Sequence, residues 1–292
     1  MAIYDVSGNQ LSAVYDVNGN SLQTAYDVDG NLIFTSEISL KVMTYNVGGW
    51  YTGRGYSVPS EWDSEYYALQ NGILGYYQSD ILCIQEYRDA FTTGGRTALS
   101  VLSPYFDYIQ AGRGTTEYWG HAICSKYPIL SVTDHRYTNE SARYYMDAVI
   151  NVNGHSVHVI CTHLSTDQAK RKVQAKELFD YVQTLNTFIA CGDFNTTYAD
   201  STEGQEYTDV YLQYINAGYN LANCSEQHGF NYTYFSSTSQ LWRTLDNIIT
   251  SADIAINNIT VDQTKVEHPI SEDPNWLIDH LPLIAELTVT AS

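Results

Sequence analysis

Residues 155–195 read HSVHVICTHLSTDQAKRKVQAKELFDYVQTLNTFIACGDFN, two apolar strands separated by one helix. The strand segments HSVHVICTHL and TFIACGD are short and apolar, which is typical of buried strands. A capping box at residues 165–168, Ser-Thr-Asp-Gln, predicts the start of a helix that runs to about Leu185. The apolar side of this predicted helix consists of Val173, Leu178 and Val182.

The same alternation continues on both sides of this stretch, with more strands than helices. One further helix is predicted over residues 61–78, and another is predicted to end near Gly218. This β-rich mixture favours an α/β (α+β) class with two packed sheets and helices outside them over a doubly wound parallel sheet. The other predicted strands are LKVMTYNV (40–47), DILCIQE (80–86), FDYIQAG (106–112), GHAICSKYPIL (120–130), RYYMDAVINV (143–152), LDNIITS (245–251), INNITVD (256–262) and LPLIAELTV (281–289).

Length and composition indicate a soluble globular protein. The 292 residues suffice for one large domain or two ordinary ones. Hydrophobic residues make up 44% and charged residues 16%, and no apolar run approaches the roughly 18 residues of a membrane span. The first ten residues, MAIYDVSGNQ, show no signal peptide, so cytoplasmic synthesis is expected and the site of delivery stays open.

The cysteines predict buried thiols rather than disulfides or a metal set. Four of the five, namely Cys83, Cys124, Cys161 and Cys191, lie in apolar β-type runs, and no CxxC spacing exists. Free cysteine behaves as a small hydrophobic residue, so these side chains are expected in the core in the reduced state.

The acidic balance limits how the chain binds polyanions. Thirty-three acids against fourteen bases give a formal net charge of −19, which disfavours tight nucleic-acid binding through counterion release. A nuclease is still compatible with this charge, because a metal site concentrates carboxylates and the ions themselves supply positive charge to a phosphate.

The N-terminus repeats with a period of 11: YDVSGNQL from Tyr4, YDVNGNSL from Tyr15 and YDVDGNLI from Tyr26. Each copy has a glycine between short apolar segments, which favours a β-hairpin turn. A calcium-loop interpretation fits less well, because the glycine is at position four of each Asp-initiated string and no distal glutamate follows. Residues 1–36 are therefore predicted to be a small β module for attachment or assembly, or for oligomerisation.

Polar clusters end six of the predicted strands, where loops converge into sites. Each cluster alone has a structural explanation as a strand-ending turn. Together they supply carboxylates, amides and histidines sufficient to bind Mg²⁺ through oxygen ligands and to move protons. The clusters are Tyr45-Asn46, Gln85-Glu86, Thr162-His163, Gly192-Asp193-Phe194-Asn195, Asp246-Asn247 and Asp279-His280.

In this order, the motifs resemble the endonuclease/exonuclease/phosphatase superfamily of deoxyribonuclease I-like metal-dependent hydrolases. The resemblance covers residues 40–290 and rests on KVMTYNV, DILCIQE, GHAICSKYPI, VHVICTHL, the helix with Arg171 and Gln174, FIACGDFN, LDNIITS and IDHLPLIAEL. It implies a catalytic domain over residues 38–292, built as a four-layer α/β sandwich of two packed mixed β-sheets flanked by helices. It also implies Mg²⁺ as cofactor, with Mn²⁺ able to substitute.

The resemblance also implies a role for each matching residue. Glu86 corresponds to the principal metal ligand, with Asn46 and Asp279 nearby. Asp193 would orient or activate the attacking water or help a second metal, and Asn195 would hydrogen-bond the phosphate. The pair Asp246 and His280 resembles the catalytic dyad, and His163 resembles the second histidine, which contacts the scissile phosphate and protonates the leaving oxygen.

Two departures from the family pattern bear on substrate preference. Ile278 stands where the family has a small polar residue, and His121 stands where it often has asparagine. His121 is either a site residue or a structural histidine. Glu117 is either a support for the second histidine or a solvated loop acid.

The remaining candidates concern the substrate surface. Arg113 and Arg143 are candidate substrate-binding residues, or else ordinary solvated arginines. DNA is the favoured phosphodiester substrate. The alternatives are a small-molecule or phospholipid phosphodiesterase or phosphatase, and a non-catalytic binding or structural protein that retains the fold.

Overall fold

The chain folds into two six-stranded β-sheets that pack face to face, with helices on the outer faces. The structure is a computed structural model. It describes residues 14–15, 21–22, 24–26, 32–35, 37–48, 72–87, 98–112, 120–196, 210–225, 227–236, 241–262 and 280–290.

Sheet one is mixed, with a parallel pair near its centre. In spatial order its strands are β17 (Ile254–Val261), β18 (Leu283–Thr290), β5 (Glu37–Asn46), β6 (Ile81–Tyr87), β8 (Gly120–Ser125) and β7 (Tyr108–Gly112). Strands β5 and β6 run parallel, and the other neighbours are antiparallel. The carboxyl ends of β5 and β6 therefore lie at the same edge.

Sheet two repeats this plan. In spatial order its strands are β13 (Asn220–Leu221), β16 (Asp246–Thr250), β12 (Phe188–Asp193), β11 (His155–His163), β10 (Tyr144–Val152) and β9 (Ile129–Arg136). Strands β11 and β12 are parallel, and the other pairs are antiparallel. A short hairpin of β14 (Tyr234–Ser236) and β15 (Leu241–Arg243) precedes β16.

Alternation along the strands creates three apolar layers. Residues such as Ile123, Met146 and Val159 fill the space between the sheets. Helix α1 (Ala98–Leu102) and the helical residues 72–77 cover the outer face of sheet one, and helix α2 (Gln168–Val182) covers sheet two. The predicted four-layer sandwich of two mixed sheets flanked by helices is thereby confirmed.

Helix α2 differs from its sequence-based description in its cap, its end and its buried side. The N-cap is Asp167, whose side chain accepts a hydrogen bond from the Lys170 amide, so a capping box from Ser165 is wrong. The helix ends at Val182 rather than near Leu185. Val173 is 42% exposed because the buried side is formed by Arg171, Gln174, Ala175, Leu178 and Val182.

The predicted strand over residues 120–130 is two strands in different sheets. Strand β8 ends at Ser125 in sheet one, and β9 begins at Ile129 in sheet two. Pro128 lies in the crossing, where its missing N–H prevents a continuous ladder. Its carbonyl oxygen instead accepts a hydrogen bond from the Asn151 amide, 2.9 Å away.

The remaining helix predictions fall partly outside the described residues. Of the helix predicted over residues 61–78, residues 72–77 are helical. The part before residue 72 lies outside the described residues. Helix α3 (Leu212–Asn216) is followed by Gly218, whose φ of 80° is the left-handed conformation that commonly ends a helix. Within the described parts of the chain, no helix has the length and apolar character needed to cross a membrane.

The second and third N-terminal repeats contain antiparallel pairs at equivalent positions. Strand β1 (Val14–Tyr15) pairs with β2 (Ser21–Leu22), and β3 (Thr24–Tyr26) pairs with β4 (Leu32–Thr35). Neither pair belongs to a six-stranded sheet. The first copy lies outside the described residues.

All five cysteines are free and buried, as predicted for the four in apolar runs. Burial raises the pKa values of the Cys83, Cys124, Cys161 and Cys224 thiols. These thiols are therefore held in the unreactive protonated form.

Candidate active site

The two parallel strand pairs bring four of the sequence-predicted site residues to one rim of the sandwich. Strand β5 ends with Asn46, Glu86 is the last residue but one of β6, and β11 and β12 end with His163 and Asp193. The Asn46 side-chain amide donates to Glu86 Oε1 at 3.2 Å and to Asp193 Oδ2 at 3.1 Å. One amide thus connects the carboxylates of both sheets.

Glu86 reaches this rim through a β-bulge. Gln85 pairs with His121 and Tyr87 pairs with Gly120, which leaves Glu86 as the extra residue. Its φ of 55° is left-handed, a conformation that costs a non-glycine residue about 1–2 kcal/mol. The bulge directs Gln85 into the core, where it donates to Cys161 Sγ at 3.2 Å, and leaves the Glu86 carboxylate bonded to Asn46.

The Asp193 carboxylate lies close to two histidine rings and a main-chain amide. Its Oδ2 lies 3.3 Å from His163 Nε2 and 3.5 Å from His280 Nε2, and its Oδ1 accepts from the Asn195 amide at 2.8 Å. The pKa of Asp193 is raised to about 7, mainly by burial and in addition by the charge of Asp246, while His280 opposes the shift. The carboxyl can therefore hold a proton near neutral pH when no cation is bound.

Asp246 and His280 form the predicted dyad. His280 Nδ1 lies 2.9 Å from Asp246 Oδ2, and both side chains are buried. Because the carboxylate accepts, the proton lies on Nδ1 and the Nε2 lone pair faces Asp193 and Asn46. Asp246 Oδ1 has no hydrogen-bond partner within the described part of the chain.

His163 is held as a neutral imidazole. Burial lowers its pKa well below the usual value, and the neighbouring Arg143, His121 and His280 lower it further. The Arg143 guanidinium donates to the His163 carbonyl oxygen at 3.4 Å. Arg143 thus lies beside His163, and its role in substrate binding stays a prediction.

Asn195 follows the strand that carries Asp193. Its φ of 49° is left-handed, and its side-chain amide donates to the Leu164 carbonyl oxygen at 2.8 Å. The side chain therefore lies between the ends of β11 and β12. The second N–H of this amide can donate to a phosphate oxygen while the first keeps its present acceptor.

His121 has a structural anchor beside the site. Its Nε2 donates to the Tyr144 carbonyl oxygen at 3.0 Å, and its ring packs on the Tyr144 ring at 4.4 Å. Burial lowers its pKa to about 4. Its Nδ1 has no partner among the residues described. No described hydrogen bond joins its side chain to the catalytic candidates, so its role in the site remains a prediction.

Three predicted site residues lie outside the described residues. They are Asp279, Arg113 and Glu117.

Sequence reasoning did not identify Thr233 and Tyr234, which contact Asp246 and His280. The Tyr234 ring packs on the His280 ring at 4.8 Å, and Thr233 is fully buried against the start of β16. Neither residue is charged or follows a predicted strand, so no sequence signal indicated them.

The acidic side chains suit a divalent cation. Single ligand atoms of Asp193, Asp246 and His280 lie within 4.8 Å of one another, and the Glu86 carboxylate is linked to Asp193 through Asn46. Hard cations such as Mg²⁺ prefer oxygen ligands of this kind. The unpartnered Asp246 Oδ1 gives a further oxygen without a competing donor among described residues.

Comparisons with known proteins show which family and fold the chain shares. A model described as "Endonuclease/Exonuclease/phosphatase family" matches residues 43–267. The uncharacterized protein YbhP of Escherichia coli K12 is 24% identical over 182 residues, which are 55% of this chain and 68% of that protein.

Two solved structures show the same fold at low sequence identity. D. rerio TDP2, complexed with single strand DNA product, is 15% identical with a TM-score of 0.61, over 85% of this chain and 98% of that chain. The endonuclease/exonuclease/phosphatase from Beutenbergia cavernae is 18% identical with a TM-score of 0.64, over 86% of this chain and 72% of that chain.

Proposed function

Because the chain belongs to the endonuclease/exonuclease/phosphatase family, we propose that it is a Mg²⁺-dependent phosphodiesterase of deoxyribonuclease type. Metal-dependent phosphoester hydrolysis is the general activity that the family and the acidic cluster support. One observation carries the proposal: residues from both sheets form a single buried set of carboxylates and histidines. A nucleic-acid substrate is supported by the fold shared with a TDP2 that holds single strand DNA product.

The cation would be held by Glu86 and Asn46, with Asp279 as their expected neighbour, and the Asp193 carboxylate lies in the same hydrogen-bond network. When bound, a divalent ion polarises a phosphoryl oxygen and lowers the pKa of water. It would also balance the negative charge of the buried carboxylates.

The dyad supplies the proton acceptor. Asp246 holds the Nδ1 proton of His280, so that Nε2 is free of a proton and takes one from the attacking water. Asp193, whose Oδ2 lies 3.5 Å from His280 Nε2, orients that water.

His163 acts at the phosphate and the leaving oxygen. Its Nε2 lies 3.3 Å from Asp193 Oδ2, and its neutral ring would donate a hydrogen bond to the leaving oxygen in the transition state. Asn195 and Arg143 donate to phosphate oxygens, one through an amide and the other through positive charge.

Plasmid DNA with Mg²⁺ or Mn²⁺ tests the proposal. We expect supercoiled DNA to be nicked by the metal-loaded protein and not in excess chelator. The His280→Ala protein should be slower by about 10²–10⁴-fold, the usual contribution of a general base. His158→Ala is the matched control, because His158 is bonded to Asp147 on the outer face of sheet two and should not affect the rate.

Equal nicking by the His280→Ala protein would contradict the dyad assignment, and nicking in chelator would contradict metal dependence. If DNA stays intact, bis(p-nitrophenyl) phosphate, phospholipid head groups and inositol phosphates distinguish the small-molecule and lipid alternatives. No hydrolysis of any of them would favour a non-catalytic protein.

The N-terminal repeats are proposed to attach the enzyme to a partner or to another copy. Strand β4 ends at Thr35 and β5 begins at Glu37, while the catalytic residue Asn46 is at the other end of β5. Ten residues of strand separate these ends by roughly 30 Å. Attachment through the repeats would therefore leave the catalytic rim accessible.

Light scattering on the full chain and on a protein that starts at Glu37 tests this role. The shorter protein is expected to be a monomer with unchanged hydrolysis, while the full chain forms a larger assembly. Identical masses for the two proteins, together with unchanged association with any particle, would contradict the role.

A further inference from the structure

The two members of the dyad come from different sheets. Asp246 begins β16 in sheet two, whereas His280 precedes β18 in sheet one. The 2.9 Å hydrogen bond between them therefore depends on how the first residue of β16 is positioned relative to sheet one. Besides the pairing of β16 with β12, local hydrogen bonds hold the main chain at Asp246.

Thr233 forms hydrogen bonds with the main chain next to both members of the dyad. Its Oγ1 accepts hydrogen bonds from the amides of Asp246 at 3.0 Å and Leu245 at 3.1 Å. Its carbonyl oxygen accepts from the Leu281 amide at 2.7 Å, one residue after His280. A single buried residue thus holds the backbone on either side of the dyad.

The neighbouring contacts extend this link. The Thr233 amide donates to the Arg243 carbonyl oxygen at 2.9 Å, which ties the residue to β15. Tyr234 forms an antiparallel bridge with His280 and packs its ring on the imidazole at 4.8 Å. The segment therefore fixes the position of the His280 ring as well as its backbone.

We propose that Thr233 is a positioning residue for the Asp246–His280 dyad, a role that rests on the hydrolytic function proposed above. Its hydroxyl oxygen is the acceptor for two buried amides, and valine, which has the same shape, leaves both without a partner. The turn before β16 then shifts and carries the Asp246 carboxylate away from His280 Nδ1. Misplacement of a catalytic group by about 1 Å costs about 10²-fold in rate.

Steady-state hydrolysis of bis(p-nitrophenyl) phosphate with Mn²⁺ gives the first test. In Thr233→Val, kcat should fall about 10²-fold, while KM stays within about twofold because ground-state binding is not altered. Thr233→Ser keeps the hydroxyl oxygen and should restore kcat. Thr250→Val is the matched control. Thr250 is equally buried and lies on β16, the strand that carries Asp246; its hydroxyl donates to the Ile254 carbonyl oxygen at 2.9 Å, and its loss should leave kcat unchanged.

The NMR signal of the His280 Nδ1 proton gives a second test that needs no turnover. This proton is expected to be protected and strongly downfield in the wild type and in Thr250→Val, and to exchange faster in Thr233→Val. If Thr233→Val does not fold, Thr233→Ala takes its place in both tests.

Two results would overturn the role of Thr233. One is an unchanged kcat with an unchanged His280 signal in the valine variant. The other is an equal loss of kcat in Thr233→Val and Thr250→Val, which would mark a general effect of stability. A wild-type protein that hydrolyses no phosphodiester would refute the proposed function, while the NMR comparison still decides the role of Thr233.

Discussion

Replacing Gly192 with alanine is expected to abolish hydrolysis and to lower the free energy of unfolding by about 3 kcal/mol, near the upper end for overpacked cores. A Cβ atom at this position would overlap the Thr162 carbonyl oxygen and lie 2.9 Å from its carbonyl carbon. Thr162 is the register partner of Gly192 in the parallel pair β11 and β12. Relief of the overlap must separate these strands where His163 and Asp193 approach within 3.3 Å.

Urea unfolding and hydrolysis of bis(p-nitrophenyl) phosphate measure the two losses. Gly72→Ala is the matched control, because a Cβ atom there meets no atom within 4 Å and residue 72 is helical. Alanine in a helix should be neutral or stabilising by up to about 1 kcal/mol. Unchanged stability and activity in Gly192→Ala would show that the two strands can separate without consequence.

Removing the Glu86 carboxylate is expected to reduce metal-dependent hydrolysis by about a thousandfold, because a bound cation contributes several kcal/mol of transition-state stabilisation. The variants Glu86→Ala and Glu86→Gly should lose activity equally. They should differ in stability, since the φ of 55° suits glycine and strains alanine. The glycine variant is expected to be more stable by about 1 kcal/mol.

Isothermal titration with Mg²⁺ and urea unfolding of both variants measure these effects. Undiminished Mg²⁺ binding and activity would show that Glu86 is not a metal ligand. An alanine variant as stable as the glycine variant would show that the bulge imposes no backbone strain.

The strand ends of the active site were predictable from sequence. Asn46, His163 and Asp193 each end an apolar run that forms a central strand, and such runs are among the clearest sequence signals. The polar residue at the end of each run therefore indicated both the edge of the sheet and the chemistry. The structure brings these three residues together with Glu86, Asp246 and His280.

Features that depend on tertiary contacts were not predictable. The break between β8 and β9 places the two halves of one apolar run in different sheets. Pro128 marks the break, but the run does not indicate that its second half joins the other sheet. The burial of Arg171 and Gln174 shifted the buried side of α2 away from Val173, because their polar groups bond to main-chain atoms at Ser165. Periodicity of apolar residues alone cannot detect polar side chains that are buried by satisfied hydrogen bonds.

Because Asp246 and His280 lie on opposite sheets, the dyad can form only after both sheets have folded. A folding intermediate with only one sheet formed would contain one member of the dyad in place and no hydrolytic centre. The 2.9 Å bond between them exists only after the sheets have docked. Hydrolytic activity therefore reports the closure of the sandwich rather than the formation of either sheet.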